Sequence, residues 1–128
     1  MYLNRKASYG TAYAIESLEV VLIAAAFDQD VSLAFIDDGV YQIVEGQNTD
    51  GIGMKNFSKT FHALGDYDIN KLYVSAESLE ERGLTADDLM PLVYEDEDDD
   101  WEEKPSVKIV SNAELTKIMS DQDVCLSF

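Results

Sequence analysis

A mostly apolar run at residues 31–36 stops at Asp37, Asp38 and Gly39, and a second apolar pattern then begins with Val40, Ile43 and Val44. The first run has the length of a buried strand and the second has helical spacing. Residues 35–47, FIDDGVYQIVEGQ, therefore predict a strand handing over to a helix. In α/β proteins that handover lies at the carboxyl edge of a parallel sheet, where ligands and reacting groups gather.

The same two periods recur along the chain. Residues 1–6 read as a strand, and Ser8-Tyr9-Gly10-Thr11 as a turn with Ser8 or Thr11 available to cap a helix. Over residues 12–27, Ile15, Leu18, Leu22 and Ala25 mark one helical face, which Val20, Val21, Ile23 and Phe27 widen. A helix this apolar is expected to be covered on more than one side. The polar stretch 48–56, with Gly51 and Gly53, predicts a flexible loop, and a helix over 57–64 is closed by Gly65 as its C-cap. Residues 69–75 predict a strand, 76–82 a short helix ended by Gly83, and 85–88 a further helical turn. Residues 89–94 are apolar without a clear period. A strand over 107–110, a helix capped by Ser111 and running to Met119, and a strand over 124–128 complete the series. Strands alternating with helices predict an α/β/α three-layer domain on a five-stranded parallel sheet, flavodoxin-like in general architecture. The length suits one domain with a real core, and no internal repeat is present.

Charge changes this picture most. The chain carries a formal −17, and eight acidic residues fall in one run, residues 95–103. Without them the rest still holds 18 acidic against 9 basic residues. Such a surface repels phosphate backbones and anionic membranes, so neither direct nucleic-acid binding nor membrane association is expected. The run itself, over about 95–105, predicts a solvated, flexible insertion. Trp101 inside it is either an anchor, to this subunit or to a partner, or part of a disordered spacer. A single cysteine, Cys125, forbids an intrachain disulfide and fits a reducing compartment. With no signal-peptide pattern and no apolar stretch long enough to span a bilayer, the expected location is the cytoplasm.

Few residues offer chemistry. Asp37 and Asp38 could hold a metal, but the third strand brings only Ser75 and Glu77 to the same edge, and a helix-capping role explains one of them. His62 is the sole histidine, with no cysteine near it, which leaves zinc unsupported. Gly51 and Gly53 do not follow a strand and lack a third glycine, so they fail the dinucleotide fingerprint. Gly10-Thr11 is better placed as an anion cradle, though a turn explains it. Cys125, between Val124 and Leu126, reads as a buried small hydrophobe with Asp121 and Asp123 nearby, surroundings unlike those of reactive thiolates. No metal or other cofactor is expected.

Three segments together, FIDDGVYQIVEGQ, then LGDYDI at 64–69 and SLEERGL at 78–84, resemble the DsrE/DsrF/DsrH family of sulfur-relay proteins, within it the DsrF/TusC branch. The likeness runs from LNRKASYGT at Leu3 to Ser127-Phe128, with Asp37, Asp38, Gly39, Tyr41 and Gly46 in its signature segment. It implies a hetero-oligomer of three related chains in two copies each, with DsrE-like and DsrH-like partners. Catalytic members carry persulfide sulfur on a cysteine at the end of the third strand, in a VCVAAALRRG-like segment leading into a helix. Counting back from Gly83, that carrier position falls on Ser75, and a serine holds no persulfide. The resemblance therefore implies a non-catalytic docking subunit supporting cysteine-bearing paralogues. The acidic insertion and the YLNRKA opening tilt it toward sulfur oxidation. The alternatives are a TusC-like role in tRNA 2-thiouridine synthesis and a sulfur carrier using Cys125. Tyr9, Tyr13, Tyr41, Tyr67 and Tyr73 supply aromatic surface either for an interface or for ordinary packing.

Overall fold

The computed structural model describes residues 1–6, 13–27, 29–44, 58–67 and 69–127. Five strands form the main sheet: β1 (Tyr2–Asn4), β2 (Leu33–Phe35), β3 (Leu72–Ser75), β6 (Val107–Val110) and β7 (Leu126–Ser127). Their order is β6-β3-β2-β1-β7, and every neighbouring pair is parallel. Helices α1 (Tyr13–Ala26), α2 (Ala76–Glu81) and α3 (Asn112–Ser120) supply the outer layers, and β4 (Val93–Asp96) pairs with β5 (Glu102–Pro105) in a separate antiparallel hairpin. The three-layer α/β architecture with a five-stranded parallel sheet is as expected. The predicted glycine loop and the Gly10-Thr11 cradle lie outside the described residues.

Alternation along the strands divides the core. Leu33 and Phe35 of β2, with Leu72 and Val74 of β3, face Leu18, Val21 and Ala24 of α1 and the buried Phe61, Leu64, Leu89, Met90 and Leu92. Phe35 meets Phe61 edge to face, ring centroids 6.1 Å apart. Ala34 points the other way, where Met1, Val110 and Leu115 of α3 form a smaller cluster flanked by Leu3, Ile36 and Tyr73. The apolar piece 89–94 thus joins core to hairpin. Met90 N–H donates to the Ile43 carbonyl at 2.8 Å, and Ser106 N–H to the Leu92 carbonyl at 2.9 Å.

Several local expectations are corrected. The helix after β2 is a 3-10 segment, Asp37–Ile43, with Ile36 rather than an aspartate at its N-cap position and no side-chain cap. Another 3-10 segment, Ser58–Tyr67, runs through Gly65, which is therefore not its C-cap. Gly65 is needed for a different reason, because a Cβ there would collide with the Val93 carbonyl. Among the described side chains of α1, burial follows one face, Ser17, Leu18, Val21 and Ala24 with Leu22 and Ala25 beside them, while Ile23 is 59% exposed and Phe27, just past the helix, 75%. Gly83 does end α2 as expected, at φ +68.

The acidic run, expected as a spacer, lies in the β4–β5 hairpin. A lysine clasp holds it: Lys104 Nζ contacts Asp96 Oδ2 at 2.6 Å and Asp99 Oδ2 at 3.2 Å. Asp96 Oδ1 also accepts from Asp98 N–H at 3.0 Å, and its carbonyl accepts from Trp101 N–H at 2.8 Å. Asp100 and Trp101 turn the chain at φ 52 and 61, and the indole stays 60% exposed, so it is no core anchor. Lys104, then the Asp98 N–H, holds the Asp96 carboxyl below its usual 3.8, and Asp96, then Asp99, raises the Lys104 ammonium.

Two outcomes follow from these contacts. At Gly39 an added Cβ would overlap the Asn4 carbonyl, so Gly39→Ala is expected to lower stability by about 3 kcal/mol or more in urea denaturation. A depressed carboxyl contributes stability above its unfolded value and loses it as pH falls through the folded one. The clasp should therefore hold above pH 3.8 and release on further acidification, which the emission of Trp101, the only tryptophan, would report. Lys104→Ala should remove that transition.

Candidate functional site at the carboxyl edge of the sheet

Strands β2, β3 and β6 end side by side, so the residues that follow them meet at one edge. Ser75, the last residue of β3, is fully buried and caps α2, its Oγ accepting from Ser78 N–H at 3.1 Å. The Ser75 hydroxyl donates in turn to Asn112 Oδ1, at the start of α3, at 2.5 Å. Asn112 N–H donates to the Glu77 carboxylate at 2.7 Å, placing a negative charge at the first turn of α3, where it favours the helix dipole. Ser111 caps α3 as expected, accepting from Glu114 N–H at 3.1 Å.

The handover after β2 is tied to the same helix. Ser78 Oγ accepts from Asp37 N–H at 2.9 Å, with Asp37 in the left-handed region at φ 50. Asp38 takes Arg82 through one oxygen, at 3.1 Å from Nε and 3.0 Å from a terminal nitrogen. Another Arg82 nitrogen donates to the Ser78 carbonyl at 3.2 Å. The two aspartates thus serve different partners: one through its backbone, one through its carboxylate. They do not converge on a shared space, and among the described residues no group of three His, Cys, Asp or Glu side chains is arranged to hold a metal ion.

Of the remaining signature residues, Gly39 lies under the Asn4 carbonyl, Tyr41 is 38% exposed on the 3-10 segment, and Gly46 lies outside the described residues. The side chain of His62 also lies outside them. Asn4 ends β1 with a fully buried amide that has no hydrogen-bond partner among the described residues.

Cys125 is not buried. It is exposed, just ahead of β7, with its thiol 3.8 Å from the Met119 carbonyl. Strand β7 has two residues and lies at the sheet's border, so its apolar neighbours do not enclose it. Because the strands are parallel, a residue before β7 lies at the amino edge, opposite Ser75. The two cannot cooperate within one chain.

Sequence reasoning missed Asn112, Ser78 and Arg82 as parts of this network. Ser75 and Ser78 at the spacing of a cap were a local signal, but the Ser75–Asn112 contact joins residues 37 apart and had none. At this edge the Ser75 hydroxyl is committed to two hydrogen bonds, the Asp38 carboxylate is paired with Arg82, and the Glu77 carboxylate accepts from the start of α3. Ser75→Ala should cost about 1–3 kcal/mol in urea denaturation, since it removes a buried cap and strands Asn112. Asp38→Asn breaks a pair whose carboxylate is 62% exposed, and should cost less than about 1 kcal/mol.

Comparison with known proteins bears on the fold and the family. A crystal structure of the ychN protein from E. coli superposes with a TM-score of 0.72 at 18% identity, covering 99% of this chain and 96% of that one, which shows the shared fold. The intracellular sulfur oxidation protein DsrF of Allochromatium vinosum is 55% identical over 128 residues, all of this chain and 94% of the relative. The TusC homolog of Vibrio vulnificus strain CMCP6 is 33% identical over 127 residues, 99% of this chain and 96% of the relative. Protein TusC of Escherichia coli O9:H4 is 42% identical over 89 residues, 70% of this chain and 73% of its own. With its family pattern matched over residues 1–128, the chain belongs to the DsrE/DsrF-like family.

Proposed function

We propose that this chain is a non-catalytic docking subunit of a sulfur-relay complex of the intracellular sulfur-oxidation type. The observation that carries the reading is Ser75. At the end of β3, where catalytic relatives hold the carrier cysteine, this chain has a buried hydroxyl bonded to Ser78 N–H and Asn112. Persulfide transfer needs a sulfur nucleophile that can form and release an S–S bond, and an oxygen in that place does neither. Full-length identity of 55% to a protein named DsrF supports the sulfur-oxidation branch over tRNA thiolation, for which the 42% match to E. coli TusC spans 70% of the chain.

The subunit acts through surface. The outer stripe of α1 exposes Ile23 and Phe27, and Tyr67 is 57% exposed. Large apolar groups left in water at the rim of a domain are what a neighbouring subunit buries. The partners in this reading are DsrE-like and DsrH-like chains, two copies of each of three subunits, assembled in the cytoplasm. No described helix is long and apolar enough to cross a membrane. The charge of −17 argues against direct contact with nucleic acid. The chain serves as a single domain with its acidic hairpin as an appendage.

One observation favours a second reading. The exposure of Cys125 makes the thiol reachable, so the chain could accept sulfur there. Incubation with a persulfide donor, followed by intact mass measurement of the wild type and Cys125→Ala, separates the two. Sulfur gained by the wild type and lost in the variant would replace the docking reading with a carrier role.

Co-expression with DsrE-like and DsrH-like chains and native mass spectrometry tests the main proposal. The expected result is a complex containing all three chains. Ile23→Asp combined with Phe27→Asp should weaken assembly by about tenfold or more, as for loss of an interface anchor. The isolated fold should be unaffected, since both side chains are already exposed. A stable monomer that ignores both paralogues would overturn the proposal.

A further inference from the structure

Strand β6 closes one side of the sheet: it pairs with β3, and among the described residues no strand lies beyond it. Alongside it opens a groove of about 350 Å³, lined by Leu89, Met90, Leu92, Pro105, Val107 and Ile109, with Asp87 at its rim. Ile109 is 40% exposed. The groove continues onto the hairpin through Pro105. There the register places Val93 opposite Pro105 and Glu95 opposite Glu103, and all four are exposed.

Directly opposed like charges on a two-stranded ribbon are destabilising. Lys104 relieves Asp96 and Asp99, but its position in the alternation puts it on the other face of the hairpin. Among the described residues no lysine or arginine pairs with Glu95 or Glu103. The hairpin therefore maintains an uncompensated carboxylate pair about two residues, roughly 7 Å, beyond the apolar groove.

We propose that this face docks an extended, lysine- or arginine-bearing segment of a partner protein. The segment lies along the open edge of β6, seats an apolar side chain in the groove, and places a cation between Glu95 and Glu103. An added strand satisfies the edge backbone, and its period of two brings apolar and basic side chains of one face to the two subsites in turn. A second copy of this chain is a poor occupant, because it would bring its own −17 to an acidic rim. The surface is separate from the α1 stripe and does not rest on the docking-subunit reading.

The test uses the intact chain with an alternating Lys–Val heptapeptide as probe, in about 0.15 M salt to screen general attraction. Amide shifts in two-dimensional NMR should saturate and centre on Val107–Val110, residues 87–93, Glu95 and Glu103. Ile109→Asn keeps the charge and should weaken binding about tenfold through lost apolar contact. Glu103→Lys should weaken it at least as much. Its unfolding temperature should stay level or rise, because the new lysine faces Glu95. Equal affinity in Ile109→Asn would reveal charge attraction alone and overturn the proposal. So would shifts centred elsewhere, absence of saturable binding, self-association of the chain through this face in sedimentation, or a fall in stability with Glu103→Lys.

Discussion

The carbonyl of Asn4 accepts from Ile36 N–H at 3.1 Å, and Gly39 lies so close above it that no side chain fits. This contact joins the end of β1 to the turn that leaves its neighbour β2, and much of the carboxyl edge depends on it. With the turn held there, Asp37 presents its N–H to Ser78 and Asp38 presents its carboxylate to Arg82. Helix α2 is thereby fixed from one side while Ser75 and Asn112 fix it from the other.

The edge that most doubly wound proteins leave open for ligands is here consumed by its own supports. Asp37 N–H, Arg82 and the Ser75 hydroxyl all pair within the chain, while the buried Asn4 amide at the end of β1 is left without a partner among the described residues. Exposed apolar groups lie elsewhere, on α1 and beside β6.

Much of the architecture was legible in the residues. Strand and helix periods gave the five parallel strands, and Ser111 and Gly83 marked a start and a stop that the structure retains. The 3-10 character of residues 37–43 was not legible, because Val40, Ile43 and Val44 satisfy a period of three as readily as 3.6. Cys125 misled because apolar neighbours predict burial only when the strand has cover on both faces, and β7 is a two-residue border strand. The hairpin was hidden by composition: eight carboxylates argue for repulsion, and one lysine that bridges Asp96 and Asp99 offsets part of it. The Ser75 position was readable from its segment, whereas the partner that occupies its hydroxyl was not.

Strand β7 pairs with β1 in the register Tyr2 to Leu126 and Leu3 to Ser127, so the sheet joins almost the first residues of the chain to almost the last. Closing that contact joins residues more than a hundred positions apart, which places it among the slower kinds of pairing to form. During synthesis on the ribosome, β1 can pair with β2 and β2 with β3, but the other side of β1 stays bare until β7 emerges. An uncovered strand edge is a template for wrong pairing. Until β7 arrives, β1 carries that exposure, a hazard that the dense negative charge of the chain helps to hold in check.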